Sequence, residues 1–265
     1  MLEIFEQAAL LAGREIMEVF HRGATIRNKE DASPVTEADE RAEAIIIAAL
    51  AEAFPDLPVV AEEEVAAGRI PQTESGRFIL VDPLDGTKEF IRKSNDFTVN
   101  IALVENGVPM CGVVYAPASG TLYSGMGEAA SRLAVSADFK PLDRQPIRAR
   151  SPRTGLVAVA SRAHSGAETE AFLQRRAIGD TRSVGSSLKF CLVAEGEADV
   201  YPRYGRTMEW DTAAGDAVLR AAGGMTLTLD GKPLLYGKRN QADDSDFANP
   251  FFIAWGANWR AEVCG

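Results

Sequence analysis

Val81-Asp82-Pro83-Leu84-Asp85-Gly86-Thr87 is the stretch from which the rest of the chain is read. It closes the apolar run Arg77-Phe78-Ile79-Leu80-Val81, a buried strand by composition that runs directly into acids. Pro83 stiffens the path between Asp82 and Asp85, and Gly86 permits tight backbone geometry. Carboxylates so placed at a strand end can ligate one hard cation or bridge two. Oxygen-only ligands suit Mg²⁺, which keeps waters that a phosphate can replace. Gly86 and Thr87 then offer backbone N–H groups where a turn or helix begins, an anion-binding arrangement. Alone, the segment is equally an Asp-Gly turn closing a strand.

Two further acids stand in equivalent contexts. Leu57-Pro58-Val59-Val60-Ala61 reads as a short strand that ends in Glu62-Glu63-Glu64. Asp211 is placed at the start of a helix over Trp210–Ala222, where the helix dipole favours a carboxylate. Each also has a structural explanation by itself: a solvated charge run, and an N-terminal helix acid. Trp210 is read as core. Three consecutive glutamates leave the ligand register open by one position, and Glu62 is chosen because it directly follows the strand.

Working outward, Leu2, Phe5, Ala9, Ala12, Ile16, Val19 and Phe20 give an amphipathic helix over residues 2–21, closed by His21-Arg22-Gly23. Thr36 caps a second helix running to about Phe54. A meander follows, with strands near Phe97–Val104, Met110–Tyr115 and Thr121–Ser124 and a turn at Glu105-Asn106-Gly107. Residues 136–153, rich in Pro, Arg, Asp and Ser, are read as a boundary. Beyond them strand and helix alternate: Leu156–Ala160, Gly166–Arg176, Thr181–Val184, Ser186–Glu195, Asp199–Tyr201 and Trp210–Ala222, ended by Gly223-Gly224. The pattern predicts a layered α/β or α+β architecture. The division is 1–149, an α+β part carrying most of the acids, and 150–265, an α/β part.

Composition narrows the function. The 265 residues carry 28 Lys and Arg against 38 Asp and Glu, a net charge of −10. Such a chain lacks the clustered cations that bind nucleic-acid polymers or anionic membranes non-specifically. No apolar run approaches the ~20 residues of a spanning helix, and the N-terminus has no basic region of the signal-peptide kind. Cys111, Cys191 and Cys264 are odd in number and widely spaced, as expected of reduced thiols in a cytoplasmic protein. Peripheral association with the inner membrane is left open. With only His21 and His164, a histidine-rich zinc site or a histidine relay is nearly excluded.

Asp82-Pro83-Leu84-Asp85-Gly86-Thr87 together with Trp210-Asp211-Thr212-Ala213-Ala214-Gly215 resembles the paired motifs of the lithium-sensitive, Mg²⁺-dependent phosphatases of the inositol monophosphatase superfamily. Glu62 after a Val-rich strand and Thr36-Glu37-Ala38-Asp39 match two more of its elements. The resemblance runs from about residue 5 to about residue 255. Asp85-Gly86-Thr87-Lys88-Glu89-Phe90, Gly185-Ser186-Ser187-Leu188-Lys189-Phe190-Cys191 and Tyr201-Pro202-Arg203 are similar to its 3′(2′),5′-bisphosphate nucleotidase branch, the CysQ type. Ala61 departs from the Gly or Ser more usual before the glutamate.

The resemblance implies a stacked α-β-α-β-α sandwich with the site between two subdomains. It implies that Glu62, Asp82, Asp85 and Asp211, with the carbonyl of Leu84, hold two or three Mg²⁺. Thr87 and Asp39 would position the attacking water, and Li⁺ would inhibit. Asp39 has a structural alternative as a polar residue in the first turn of a capped helix. Specificity would lie with Gly86, Thr87, Lys88, His164, Gly185, Ser186, Ser187, Lys189, Glu209 and Asp211. Here too alternatives are open: a serine N-cap at 185–187, a solvated helix lysine at Lys189, a surface histidine at His164, and an outer, non-contacting place for Glu209. The implied reaction is hydrolysis of adenosine 3′,5′-bisphosphate to AMP and phosphate, linked to sulfate assimilation. The rivals are an inositol or sugar monophosphatase and a non-catalytic regulator. The intact set of acids argues against the regulator.

Overall fold

The computed structural model describes residues 1–28, 34–151, 154–160 and 166–259. Helix α1 (Leu2–Arg22) buries Phe5, Ala9, Ala12, Ile16 and Val19 completely, the face that its periodicity marks. Strands β1 (Ile26–Asn28) and β2 (Pro34–Thr36) form a small antiparallel pair that leads into α2 (Glu37–Ala53). Thr36 starts α2 with a capping box: its Oγ accepts the Ala38 N–H, and Asp39 Oδ2 accepts the Thr36 N–H at 2.8 Å.

Seven strands make the larger sheet, in sequence order across it: β3 (Val59–Ala61), β4 (Arg77–Asp85), β5 (Thr98–Glu105), β6 (Val108–Ala116), β7 (Thr121–Met126), β8 (Ala129–Val135) and β9 (Pro141–Pro146). Only β3 and β4 are parallel; the remaining pairs are antiparallel. Short helices α3 (Glu62–Ala66) and α4 (Thr87–Ile91) leave the ends of β3 and β4. The smaller sheet contains β10 (Val157–Ala160), β11 (Asp180–Ser183), β12 (Val200–Arg203), β13 (Met225–Thr228) and β14 (Phe252–Trp255), in the order β11-β10-β12-β14-β13. Helices α5 (Ala167–Arg175), α6 (Leu188–Ala194) and α7 (Ala213–Ala221) complete the chain.

Both faces of the larger sheet are covered, and β4 shows how. Ile79 and Val81 point into the core beneath α1 and α2, whereas Phe78 and Leu80 point into a second core shared with α6, α7 and the smaller sheet. A third cluster, with Phe172, Leu173 and Trp255, joins α5 to the far face of the smaller sheet. The layers are therefore helix, sheet, helix, sheet, helix, the sandwich that the motif resemblance implies.

The structure departs from the sequence pattern at three places, the first two for physical reasons. Within 136–153 lies β9, a sheet-edge strand whose six residues are all exposed, so it carries no hydrophobic period. Arg144 of this strand is held by a two-pronged bond to Glu6 of α1 at 2.7 and 3.0 Å. Helix α7 begins at Ala213 rather than Trp210. Asp211 sits in the preceding turn, with its own carboxylate folded back on the Met208 N–H at 2.8 Å. Strands β13 and β14 lie in the stretch after Gly224 that the sequence pattern left unassigned. Among the described residues no helix is long and apolar enough to cross a membrane. Cys111 and Cys191 are buried free thiols, and burial pushes both well above the ordinary thiol range. Cys264 lies outside the described residues.

Candidate metal centre and adjoining cavity

Parallel pairing of β3 with β4 sets Ala61 beside Val81, so the residues that follow, Glu62 and Asp82, emerge at the same edge. The β4–β5 register shifts between Asp82 and Asp85, a bulge formed at Pro83-Leu84, where a proline N–H is not needed. The Leu84 N–H turns back to Asp82 Oδ1 at 3.0 Å. Gly86 then takes the left-handed conformation (φ 96°), and a Cβ there would lie 3.0 Å from the Asp96 carbonyl. From the second half of the chain, the turn before α7 brings Asp211 to this edge. Carboxylate oxygens of Glu62, Asp82 and Asp211 all lie within 4.8 Å of one another.

Bare, this cluster is electrostatically costly. Burial first, then Glu62, Asp85 and Asp211, push the Asp82 carboxyl far above the usual range. Burial, Asp85 and Glu62 do the same to Asp211. Asp85 is also raised by burial, while the Lys189 ammonium pulls the other way. An all-oxygen set of mutually repelling acids, buried at Asp82 and half-buried at Glu62 and Asp211, is the donor chemistry of a hard divalent cation. Glu62 is the member of its triplet that joins the cluster. Glu64 is paired with Arg69 at 2.5 Å, and the Glu63 N–H is held by Glu43 Oε2 at 2.8 Å.

The Thr87 hydroxyl stands beside the cluster, 3.1 Å from Asp39 Oδ1 and 3.3 Å from the Leu84 carbonyl. Asp39 meets Thr87 with one carboxylate oxygen and serves the Thr36 cap with the other. A cavity of about 110 Å³ opens next to Asp85 and Asp211 and is lined by Gly86, Glu89, Gly185, Ser186, Lys189 and Arg203 among others.

The remaining expected residues divide. Lys189 is buried rather than solvated: its Nζ donates to the Ser186 carbonyl at 2.5 Å, and burial pushes its pKa down to about 8. The Gly185 N–H is directed to Asp96 Oδ2 at 3.2 Å. Ser186 adopts a positive φ of 47°, and its buried Oγ has no hydrogen-bond partner. Ser187 makes no side-chain cap bond and turns its hydroxyl towards Asp85 and Asp211. Lys88 is exposed and outside the cavity lining. Glu209 is completely buried away from the cavity, where it accepts the Gly237 N–H at 2.6 Å and the Lys238 N–H at 2.9 Å and pairs with Lys238 Nζ at 2.7 Å. It anchors the 237–238 segment. His164 lies outside the described residues.

Sequence reasoning gave no role to Arg203, Glu89, Glu43 or Asn100. Arg203 and Glu89 sit inside motifs whose other members drew attention. A buried-strand asparagine between Val99 and Ile101 was itself a signal, because an amide among aliphatic residues requires a partner.

Residues 1–249 match the model of the inositol monophosphatase family. The chain belongs to that family. It is 44% identical over 254 residues to the 3′(2′),5′-bisphosphate nucleotidase CysQ of Escherichia coli (strain K12), covering 95% of this chain and 98% of that protein. Among solved inositol monophosphatase family structures, CysQ from Bacteroides thetaiotaomicron superposes with a TM-score of 0.76 at 37% identity, covering 96% of each chain. The inositol monophosphatase of Anabaena (Nostoc) sp. PCC 7120 superposes with a TM-score of 0.74 at 27% identity, covering 97% of this chain and 90% of that one.

Proposed function

We propose that this chain is a Mg²⁺-dependent phosphatase that removes the 3′-phosphate of adenosine 3′,5′-bisphosphate, giving AMP and phosphate, as one step of the nucleotide turnover that accompanies sulfate assimilation. The observation that carries the reading is the convergence of Glu62, Asp82 and Asp211, from three separated segments, beside the Asp39–Thr87 pair. The bisphosphate, rather than a monophosphate, is chosen because the relatives at 44% identity are bisphosphate nucleotidases. Lys189 and Arg203 also line the adjoining cavity and offer cations to a second phosphate.

In this reading Glu62, Asp82, Asp85 and Asp211, with the Leu84 carbonyl, hold two or three Mg²⁺. Divalent ions there would supply Lewis acidity to a bound water and to the leaving oxygen. Asp39, oriented by Thr36, accepts the Thr87 O–H hydrogen bond, so the Thr87 oxygen keeps a lone pair for the attacking water, whose proton passes to it as the Thr87 proton passes to Asp39. Glu62, at the end of β3, is the second carboxylate assigned to activating the water. No histidine is needed, because the hydroxyl links carboxylate to water. Gly86 and Thr87 lend N–H groups to the reacting phosphate, and Gly185 and Ser186, which line the cavity, lie beside the remainder of the substrate. Residues 1–149 supply most metal ligands, and 150–265 supply Asp211 and the specificity residues. Occupancy of a Mg²⁺ position by Li⁺ would inhibit.

Phosphate release from adenosine 3′,5′-bisphosphate and from inositol 1-phosphate, each with Mg²⁺, tests the assignment. A higher kcat/KM for the bisphosphate is expected. Preference for inositol 1-phosphate would transfer the chain to the monophosphatase reading with the same metal centre.

A further inference from the structure

Ser187 is one of the most heavily engaged hydroxyls in the molecule. It occupies the N-cap position of α6 yet makes no cap bond. Instead its Oγ lies 3.0 Å from Asp85 Oδ2 and 2.5 Å from the backbone carbonyl of Asp211, and it accepts the Asn100 side-chain N–H at 2.9 Å. Ser187 is 2% exposed and Asn100 is 1% exposed. Asn100 is also the cross-strand neighbour of Asp82. A hydroxyl has one proton and two lone pairs. Here the proton is spoken for by Asp85 or Asp211, and a lone pair by Asn100. Nothing is left to donate to a substrate.

The three partners come from the end of β4, the turn before α7 and the middle of β5. The first and third belong to the larger sheet; the turn belongs to the second half of the chain. Ser187 is therefore the point at which the two sources of acids are tied together. Asn100, between Val99 and Ile101 in β5, has its Oδ1 buried and unpaired, a cost that an apolar residue at this strand position would avoid. What the amide offers there is the donor it presents to Ser187.

We infer that Ser187 and Asn100 are positioning residues of the metal centre, not substrate contacts: together they orient Asp85 and hold the Asp211 turn in register with Glu62 and Asp82. The inference rests on the metal-centre part of the phosphatase reading and not on the identity of the substrate. Outer partners of metal ligands typically change metal affinity by about 10- to 100-fold when removed.

The test is calorimetric titration of Mn²⁺ into the full chain, chelator-stripped and without substrate, for the parent, Ser187→Ala, Asn100→Ala and the double variant. Each single variant is expected to weaken Mn²⁺ binding by about 10- to 100-fold, with the double little worse than the weaker single because one chain of bonds is cut in either place. Melting temperatures in chelator should move little, whereas the rise produced by Mn²⁺ should shrink. KM for adenosine 3′,5′-bisphosphate at saturating Mg²⁺ should stay constant. Ser187→Ala removes a single atom and reads out alone if Asn100→Ala does not fold. Unchanged Mn²⁺ affinity with a raised KM would overturn the inference and return Ser187 to the substrate. A parent that binds no Mn²⁺ would instead overturn the metal-centre reading, and this inference with it.

Discussion

Thr87 Oγ lies 3.1 Å from Asp39 Oδ1, joining residues 48 positions apart through one hydrogen bond. The carboxylate is fixed by the α2 cap and the hydroxyl by the first turn of α4, so neither group is free to wander. Thr87→Ala is expected to lower kcat by about 10²–10⁴-fold on every phosphate ester, with KM nearly constant, because the lost interaction acts on water in the transition state. Thr87→Ser should keep most of the activity. Steady-state kinetics of the two variants check this, and a change confined to KM would remove Thr87 from the chemistry.

Asp82 is the most enclosed acid of the metal cluster, 1% exposed. Asp82→Asn deletes a charge from the group that would hold Mg²⁺. Turnover should fall by at least about a hundredfold, beyond what outer partners of metal ligands cost. Chelator should abolish parent activity, Mg²⁺ should restore it, and millimolar-scale Li⁺ should inhibit it. Full turnover of a chelator-treated sample would end the metal assignment.

The acids were legible because chemistry constrains them locally: a strand that runs into Asp82 and Asp85, and a glutamate directly after the preceding strand. Helix α1 and the Thr36 cap were legible for the same reason, since period and cap are properties of neighbours in sequence. What was not legible depends on long-range packing. Strand β9 has no buried face, so only its ladder with β8 defines it. Ser187 reads as an N-cap until the fold brings Asp85, Asp211 and Asn100 to it. Lys189 reads equally as a phosphate contact or a solvated helix lysine until Tyr201 and the Ser186 carbonyl enclose it and remove the second reading. Glu209 is two residues from Asp211 in sequence, but its side chain leaves for the 237–238 backbone.

Gly112 and Gly125 face each other across β6 and β7, and α7 is seated on both. A Cβ at Gly112 would meet the Ala214 carbonyl oxygen at 2.5 Å, and one at Gly125 would meet Val218 Cα at 2.7 Å. Both obstacles are backbone, which cannot yield as a side-chain tip can. Gly112→Ala is expected to destabilise the protein by about 1–3 kcal/mol, the usual range for overpacking, measured by urea unfolding in chelator. It should also raise the Mg²⁺ concentration needed for half activity, because α7 carries the Asp211 turn. Parent-like stability would show that α7 lifts off without consequence.

Burial, reinforced by the neighbouring glutamates 62–64 and opposed by the Glu63 N–H, pushes Glu43 up from 4.5 to about 7. The folded chain thus binds more protons at this site than the unfolded chain between those values. The contribution is fully present below pH 4.5 and is lost as pH rises through about 7. Its full size is on the order of 3 kcal/mol. Glu43→Gln keeps an acceptor for the Glu63 N–H and removes the titration. In metal-free protein, the melting temperature of the variant relative to the parent should therefore rise from pH 5 to pH 8. Parallel profiles would show that Glu43 does not titrate in this range.

Lys189 joins the cavity to the loop that shapes it. Its ammonium bonds the Ser186 carbonyl at 2.5 Å, sits 5.4 Å from the centre of the Tyr201 ring and acts electrostatically on Asp85. With three donors it can brace Ser186 and still reach a non-reacting phosphate. Lys189→Met keeps the stem and deletes the charge. Loss of one charge-assisted bond should lower kcat/KM for the bisphosphate by roughly 1.5–3 kcal/mol, about 10- to 100-fold. The value for inositol 1-phosphate should be nearly unchanged. Because the pKa is lowered to about 8, the ammonium is lost as pH rises through that value. Bisphosphate kcat/KM, which reports the free enzyme, should decline through the same range in the parent and stay flat there in Lys189→Met. If both substrates slow equally in the variant, the lysine serves only to brace the Ser186 carbonyl, and Arg203 is then the cavity cation left to select the second phosphate.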